Sequence, residues 1–360
     1  MSLVIFILEK PNNFLLLMIG ELIFLASLML CHSREGGNPV LVNLDSRLRG
    51  NNKNQNFTKI KTTINFNLMN SAFSKTSKNK AFSLIEISIV ILVIGILIVG
   101  TMYGVSFLGQ YRLSAAQKLT KNSPVDKIED LSLWLEPTME TSIISVSNAN
   151  SPEDGDVISA WNDVNTQVIS KINLTQNVSS KQPTYVRKGI GGLPSLSFQG
   201  DDYLVTNLSS IIAGKNKYTI IAVWQESDIS GSQTIFYQGG SSCDGRHAGI
   251  NTESGYINGL ACGSGNSRAF TYEAGKPYAV IYRVDSFQTD NVILYANGQK
   301  YGPVAKTINV GAGNNVVGYG GGDAYFKGLI SEIIVYNHAL NDVEIEDIRG
   351  YLRGKYGFEA

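Results

Sequence analysis

The feature that most constrains this chain is an apolar run from residue 87 to residue 110, which carries no charged side chain and is rich in Val, Ile and Leu. A run of this length is about what a helix needs to span the hydrocarbon core of a bilayer. Lys75, Lys78 and Lys80 precede it, and the positive-inside bias keeps such a flank cytoplasmic. The sequence therefore predicts a single-pass inner-membrane helix with the C-terminal mass on the periplasmic side.

Glu86 stands at the start of this run, and no Lys or Arg on the following turns is placed to pair with it. An ionisable group in a membrane is costly and is by default a functional candidate that needs a partner. One interpretation is a plain signal anchor in which Glu86 reaches the membrane interface. The residues around Glu86 favour a different one.

Residues 80–86, Lys-Ala-Phe-Ser-Leu-Ile-Glu, and the apolar run behind them resemble the prepilin cleavage and methylation motif of type IV pilins and type II secretion pseudopilins. The resemblance implies that a prepilin peptidase cuts between Ala81 and Phe82 and methylates the new amine of Phe82. The family usually has Gly before the cut, where this chain has Ala81. The amine of Phe82 would then be the counter-charge for Glu86 of a neighbouring subunit, which makes Glu86 an assembly determinant.

The beginning of the chain has a different character. Residues 14–31 form a second apolar run, predicting a signal segment or another membrane helix, and residues 32–52 contain two similar arms, SREGGN and SRLRGN. A start at Met69 would instead give the short basic leader MNSAFSKTSKNKA. We interpret the N-terminal part as three segments: a mis-assigned start or disordered, repeat-derived insertion (1–68), a prepilin leader (69–81), and a transmembrane and assembly helix (82–120).

From residue 121 onward, short runs rich in Val, Ile, Tyr, Phe and Trp alternate with clusters of Gly, Asn, Asp and Ser. This pattern is typical of an antiparallel β-sandwich, and Asn297-Gly298 is a strong hairpin signal. About 240 residues are enough for one large domain. The clearest predicted strands are 218–225, 233–237, 278–284, 291–296, 315–319 and 329–336.

Six segments in this region together resemble the concanavalin A-like, laminin G-like jelly-roll superfamily: 133–135, 157–163, 182–185, 193–204, 295–299 and 326–340. The resemblance covers residues 131–358 and implies an all-β jelly-roll sandwich over residues 121–360, ending in a short helix. Residues 341–356 fit that helix, with Asn341 as N-cap and Glu344 completing a capping box.

No catalytic constellation emerges from the sequence. Jelly-roll glucanases place their carboxylates on one strand as Glu-x-Asp-x-x-Glu, so that acid and nucleophile face one groove, and no predicted strand here has that pattern. His32, His247 and His338 lie in unrelated contexts. We therefore expect that the chain is not an enzyme.

Metal binding has one weak set of candidates. Laminin G-like folds sometimes hold calcium at the rim of the sandwich through Asp and carbonyl oxygens, and the resemblance points to Asp154, Asp156, Asp201 and Asp202. Asp in loops more often forms turns. We expect no cofactor, with calcium as the alternative.

Cys243 and Cys262 are the only cysteines of the predicted sandwich. With Asp244 and His247 they would make a transition-metal set, but the spacing matches no strong zinc signature. A domain on the periplasmic side lies in an oxidising compartment. We therefore predict a disulfide between Cys243 and Cys262.

Charge divides unevenly along the chain. From Lys121 onward there are 18 Lys and Arg against 25 Asp and Glu, and an acidic lobe argues against nucleic acid as its main partner. Tyr237, Tyr256, Tyr319 and Tyr325 are aromatic residues able to stack on sugars, although strands of any sandwich are rich in Tyr.

These observations predict a prepilin-like subunit, a minor pilin or pseudopilin. Its stem would assemble with other pilin-like subunits into a pilus or secretion pseudopilus, and its lobe would bind a carbohydrate or protein ligand. Assembly would carry the lobe from the periplasm to the cell exterior. The alternative is a lectin-like binding module that uses the stem only as a membrane anchor.

Overall fold

The structure is a computed structural model of the 360-residue chain. It describes residues 83–139, 141–147, 152–206, 211–212, 214, 217–239, 247–261, 267–306, 308 and 310–360. The chain divides into two compact units, residues 1–99 and residues 100–360. Residues 1–68, the predicted leader and the predicted cleavage site at Ala81 and Phe82 lie outside the described residues.

A long helix, α1 (Leu84–Lys121), opens the described chain. Its start is capped locally, because the Ser83 N–H donates to Oε2 of Glu86 at 2.8 Å. It ends one residue beyond the predicted bound of 120, before Asn122 and Pro124. Lys118 and Lys121 occupy its last turn, where positive charge offsets the helix dipole.

No helix in the described part of the chain meets the length and hydropathy expected of a membrane span.

Within the described residues, seventeen strands and a C-terminal helix, α2 (Asp342–Tyr356), follow α1. The strands are β1 (Leu131–Leu135), β2 (Ile143–Ser145), β3 (Ile158–Trp161), β4 (Leu174–Thr175), β5 (Thr184–Val186), β6 (Ser195–Gln199), β7 (Leu204–Thr206), β8 (Lys217–Glu226), β9 (Ser232–Gly239), β10 (His247–Glu253), β11 (Tyr256–Ala261), β12 (Ser267–Thr271), β13 (Pro277–Asp285), β14 (Val292–Ala296), β15 (Gln299–Val304), β16 (Asn315–Val317) and β17 (Lys327–Tyr336).

The strands form two antiparallel sheets. The first has the order β15-β14-β13-β8-β17-β6-β5, with β1 also paired to β17. The second has the order β12-β11-β10-β9-β16-β7-β4-β3-β2. The predicted all-β sandwich with a short C-terminal helix is therefore confirmed.

The main core lies between the two sheets. Trp161, Trp224, Tyr218 and Tyr282 are among its largest fully buried side chains. Burying a side chain of this size removes roughly 150–250 Å² from water, so this layer dominates the stability of the sandwich.

A second apolar layer covers the outer face of the first sheet. Strand residues such as Val223 and Ile334 pack there against Ile345, Ile348 and Leu352 of α2. The α2 face is buried because its apolar residues recur at helical spacing. The C-terminus of the chain lies at the β14–β15 turn, where the Gly298 N–H donates to the Ala360 oxygen at 2.9 Å.

Two local predictions are confirmed by backbone geometry. Asn297 and Gly298 both have positive φ, 44° and 83°, as a two-residue hairpin of this type requires, and they join β14 to β15. Asn341 caps α2, its side chain accepting the N–H groups of Val343 and Glu344, while Glu344 accepts the Asn341 N–H.

Candidate functional site

Three loops meet at one end of the sandwich because of the strand order. In the first sheet β8, β17 and β6 are neighbours, and in the second sheet β9, β16 and β7 are neighbours. Each of the connections β6 to β7, β8 to β9 and β16 to β17 crosses from one sheet to the other. Since the pairs are antiparallel, the three crossings lie side by side at the same end.

Three tyrosines from these loops form a cluster that we name the aromatic rim: Tyr203, Tyr319 and Tyr325. Tyr319 and Tyr325 are stacked, with ring centroids 4.3 Å apart and planes at 25°. Tyr203 lies 5.6 Å from Tyr319 and 6.5 Å from Tyr325 between ring centroids. All three side chains are half-buried, so part of each ring faces solvent.

A positive charge lies over the rim. Nζ of Lys181 is 5.5 Å from the ring centroid of Tyr325, within the range of a cation–π contact. The same ammonium group lies 3.4 Å from Oδ2 of Asp201. Partial burial, followed by the neighbouring Tyr325 ring, raises the pKa of the Tyr319 phenol, so its hydroxyl stays a neutral donor and acceptor near neutral pH.

An open groove of about 540 Å³ adjoins the rim, a size in the range of small-molecule sites. The polar residues that line it include Asp228, Asp323, Gln233 and Lys327, and Tyr325 of the rim forms part of its wall. Carboxylate and ammonium groups beside the half-buried rings of the rim supply both hydrogen bonding and an apolar contact surface.

The β8–β9 loop on one side of the groove is held in place by Gln233. Its Nε2 donates to the carbonyl oxygen of Asp228 at 2.7 Å, and its Oε1 accepts the Lys327 N–H at 2.7 Å. One side chain thus ties the β8–β9 loop to the start of β17. The groove is pre-organised by this bridge.

Asp228 enters the groove as an anion. Its Oδ2 accepts the hydroxyl of Ser230 at 2.8 Å and its Oδ1 accepts the Ser230 N–H at 3.0 Å. These bonds stabilise the charged form, and the side-chain bond from Ser230 is the largest cause of the lowered pKa of Asp228. Asp228 therefore presents a fixed acceptor to a ligand.

Gly318 sets the position of Tyr319. Its φ is 88°, and a Cβ there would lie 2.6 Å from the ring of Phe198. The chain can turn out of β16 toward the rim only with a residue that lacks a side chain.

Three of the four predicted calcium candidates accept backbone N–H groups of the protein itself. Asp156 accepts the Glu153 N–H and Asp154 accepts the Arg187 N–H, both at 2.8 Å. Asp202 is buried and accepts the Gln199 N–H at 2.8 Å. Among the residues that the structure describes, no group of three or more His, Cys, Asp or Glu is placed to hold a metal ion. Calcium binding stays the alternative to the prediction of no cofactor.

The other described candidates, Tyr237, His247 and Tyr256, lie on strands of the second sheet and not in the three rim loops. Cys243 and Cys262 lie outside the described residues, and so does Asp244, the third member of the transition-metal alternative. His247 lies at the start of β10 with its ring 5.1 Å from that of Tyr237, and burial lowers its pKa. Tyr256 is the first residue of β11, the strand next to the edge strand β12 of the second sheet.

Tyr203 is the rim residue that the sequence interpretation missed. It follows the Asp201-Asp202 pair in the segment 193–204, one of the six segments that resemble the concanavalin A-like superfamily. Its role depends on β7 lying beside β16, and nothing in the local pattern reveals that pairing.

Comparison with known families supports the fold. Residues 198–346 match the model of a family described as the Concanavalin A-like lectin/glucanases superfamily. The concanavalin A-like, laminin G-like β-sandwich predicted from the sequence is therefore confirmed. The match lies within the predicted domain 121–360 and includes Tyr203, Tyr319 and Tyr325. No curated protein matches the chain.

Several solved structures are similar to this chain. Trypanosoma rangeli sialidase is 16% identical over 63% of this chain and 33% of its own, with a TM-score of 0.40. Domain 4 of AbnA, a GH43 extracellular arabinanase from Geobacillus stearothermophilus, in complex with arabinotriose, is 15% identical over 61% of this chain and 98% of that domain, with a TM-score of 0.41. A heptameric SAP-like pentraxin from Limulus polyphemus is 19% identical over 44% of this chain and 81% of its own, with a TM-score of 0.35.

The chain spans about a third of the length of the sialidase chains it matches. The sequence analysis excluded an enzyme, and that exclusion is wrong. Sialidases and an arabinanase domain are among the structures similar to this chain. The missing Glu-x-Asp-x-x-Glu pattern excludes only one arrangement of catalytic carboxylates. At these identities and TM-scores the likeness itself assigns neither an activity nor a substrate.

Proposed function

We propose that the sandwich is a lectin-like module that binds carbohydrate at the aromatic rim and the adjoining groove. The supporting observation is the stacked pair of Tyr319 and Tyr325 beside an open groove with fixed polar groups, in a region that matches a family of lectins and glucanases.

The chemistry of the site suits a sugar. A pyranose or furanose ring has an apolar C–H face and a polar hydroxyl edge. Aromatic side chains that carry a polar group, such as Tyr, bind such amphipathic surfaces. Asp228 offers a carboxylate acceptor to sugar hydroxyls, and Lys327 offers a donor. Because Asp228 and Gln233 are already held by hydrogen bonds, little ordering is needed on binding.

The test is a glycan array probed with the full chain, including arabino-oligosaccharides and sialylated glycans. Tyr319→Ala and Tyr325→Ala should each weaken binding by about tenfold or more, since an aromatic contact contributes on the order of 1 kcal/mol beyond burial. Phe287→Ala is the matched control, because Phe287 is exposed and lies outside the rim, in the β13–β14 connection.

Binding that persists unchanged in the double variant Tyr319→Ala/Tyr325→Ala would move the site away from the rim. If the wild-type chain binds no glycan on the array, the carbohydrate proposal is wrong. Loss of binding in Phe287→Ala as well would indicate a general folding defect, and a circular dichroism spectrum identifies that case.

A second function is favoured by α1. Apolar side chains along its first half are exposed, with Ile85 and Ile91 each 65% and Leu92 and Ile96 each 62% accessible. A contiguous exposed apolar surface needs an apolar partner. We propose that this helix is the stem of a prepilin-like subunit, anchored in the inner membrane and packed against other stems, with the lobe periplasmic or carried outside after assembly.

The stem proposal is tested on the mature protein from membranes of its host, with and without the prepilin peptidase. A chain that begins at N-methylated Phe82 is expected. Glu86→Val should leave this processing intact but keep the subunit out of filaments. A mature chain that retains Ala81 and the upstream residues would leave only an anchored binding module.

A further inference from the structure

A buried charged cluster joins three parts of the lobe that are distant in sequence. Glu136 follows β1, Glu332 lies on β17, and Lys355 lies near the end of α2. Their side chains are at most 1% exposed. Nζ of Lys355 lies 2.5 Å from Oε1 of Glu136 and 2.9 Å from Oε2 of Glu332.

Backbone donors hold the carboxyl group of Glu136 from both sides. The Thr138 N–H donates to Oε1 at 3.1 Å, and the Met139 N–H donates to Oε2 at 3.2 Å. These are the donors that would stabilise negative charge developing on either oxygen during attack at the carboxyl carbon.

The carboxyl group of Glu332 is saturated by aromatic donors. Nε1 of Trp134 and the hydroxyl of Tyr351 donate to Oε1, each at 2.8 Å, and the hydroxyl of Tyr356 donates to Oε2 at 2.8 Å. Burial, followed by the charges of Glu332 and Glu136, raises the pKa of both phenols far above the usual range. They remain neutral donors, and the rings exclude water.

The proton inventory of the cluster is unusual. Two carboxylates and one ammonium together carry a net negative charge, which is expensive in a dry interior. Adding one proton makes the cluster neutral. The same number of protons also allows a state in which Lys355 is a free amine and both Glu136 and Glu332 are carboxylic acids. An amine and an acid condense from this state.

We propose that Lys355 and Glu136 form an intramolecular amide bond without another enzyme, with Glu332 as the catalytic proton carrier. The carboxyl carbon of Glu136 is at most one C–O bond, about 1.2 Å, farther from Nζ than Oε1 is, which brings it close to the ~3–3.5 Å of near-attack geometry. This inference does not depend on the carbohydrate or the stem proposal.

The reaction balances without an oxidant or a cofactor. The Nζ lone pair of the neutral Lys355 amine attacks Cδ of the Glu136 acid, while the Glu332 acid gives its proton to the Glu136 carbonyl oxygen. The resulting Glu332 carboxylate takes a proton from the nitrogen and passes it to one of the two hydroxyls on Cδ. That Cδ–O bond breaks, one water leaves, and the remaining hydroxyl returns its proton to Glu332 as the amide carbonyl forms. An amide replaces an amine and an acid, so two ionisable groups are removed from a buried site.

The crosslink would have a clear mechanical consequence. It joins residues 219 positions apart, closing nearly the whole sandwich into one covalent loop. Such a loop restricts the unfolded chain strongly. A lobe pulled from its N-terminal side would then resist unfolding, because β1 could not separate from α2.

The experiment is mass spectrometry of a tryptic digest of the full chain. We expect a branched peptide containing Glu136 and Lys355 whose mass is about 18 Da below the sum of its parts, the mass of one water. Trypsin should also fail to cut after Lys355. Lys355→Arg, which keeps the charge but offers no nucleophilic amine, should lose the branched peptide.

Two further variants separate chemistry from folding. Glu136→Gln offers an amide with ammonia as leaving group, so its branched peptide should be lighter by about 17 Da instead. Glu332→Gln should abolish the crosslink while its circular dichroism spectrum stays that of a folded lobe. Unlinked Glu136 and Lys355 peptides at full yield from the wild-type chain would overturn the proposal and leave a buried ion pair. A branched peptide undiminished in Glu332→Gln would overturn the role of Glu332.

Discussion

Tyr319 and Tyr325 stack at 4.3 Å on opposite sides of one loop, and an isolated antiparallel bridge joins their backbones. The loop between them is rich in glycine, and Gly320 passes so close to β9 that a Cβ would lie 2.2 Å from Oγ1 of Thr234. The two rings are therefore placed by backbone geometry. A surface fixed in this way is suited to binding without rearrangement.

The stability of the lobe should depend on pH through Glu226. This side chain is fully buried, and burial raises the pKa of its carboxyl from 4.5 to about 8, against hydrogen bonds from Tyr272 and Thr252 that lower it. The unfolded chain ionises near pH 4.5 while the folded chain keeps the proton, so stability declines as pH rises from about 4.5 to 8. Glu226→Gln should be more stable than wild type at pH 8 by roughly 2–4 kcal/mol.

Urea unfolding at pH 5 and pH 8 checks this prediction. Glu273→Gln is the matched control, because its side chain is 77% exposed and its substitution should leave the pH dependence unchanged. A Glu226→Gln variant whose stability falls between pH 5 and 8 as steeply as that of wild type would show that Glu226 is ionised in the folded chain.

The cap of α2 should contribute measurably to stability. Asn341→Ala removes the acceptor for two backbone N–H groups and should lower the free energy of unfolding by about 1 kcal/mol. Val343→Ala, at a side chain that is 71% exposed, should change it far less. Equal losses in the two variants, measured by urea unfolding, would mean that the capping box contributes nothing.

The sequence predicts those parts of the fold whose conformation depends on neighbouring residues. The Asn-Gly turn at 297–298 and the cap at Asn341 were found because each depends only on neighbouring residues. The long strand β8 was found because its Val, Ile and Trp residues form a continuous run, although the prediction 218–225 is one residue shorter at each end than Lys217–Glu226.

Other parts depend on contacts that no local pattern carries. The strands β2, β4 and β5 have only two or three residues each and exist because longer neighbours pair with them. Tyr319 and Tyr325 were among the aromatic candidates. That they stack, and that Tyr203 joins them in the aromatic rim, follows from the strand order. The contact of Glu136 with Lys355 spans 219 positions and had no sequence signal.

Two glycines should respond oppositely to the same substitution. A Cβ on Gly259 would lie 2.5 Å from the ring of Tyr282, so Gly259→Ala should destabilise the lobe by about 1–3 kcal/mol through overpacking. Gly350 lies within α2 with nothing within 4 Å of the added carbon. Gly350→Ala should stabilise the lobe by up to about 1 kcal/mol. Thermal unfolding measures both, and a destabilised Gly350→Ala would mean that this face of α2 is covered.

The proposal of a carbohydrate site at the rim is best tested by hydrogen exchange of the full chain, with and without the strongest glycan from the array. Binding at the aromatic rim predicts protection in residues 200–203, 227–233 and 318–327, with no change on β11 around Tyr256. Protection confined to β11 or to the β13–β14 connection, with the three rim loops exchanging as in the free protein, would contradict it.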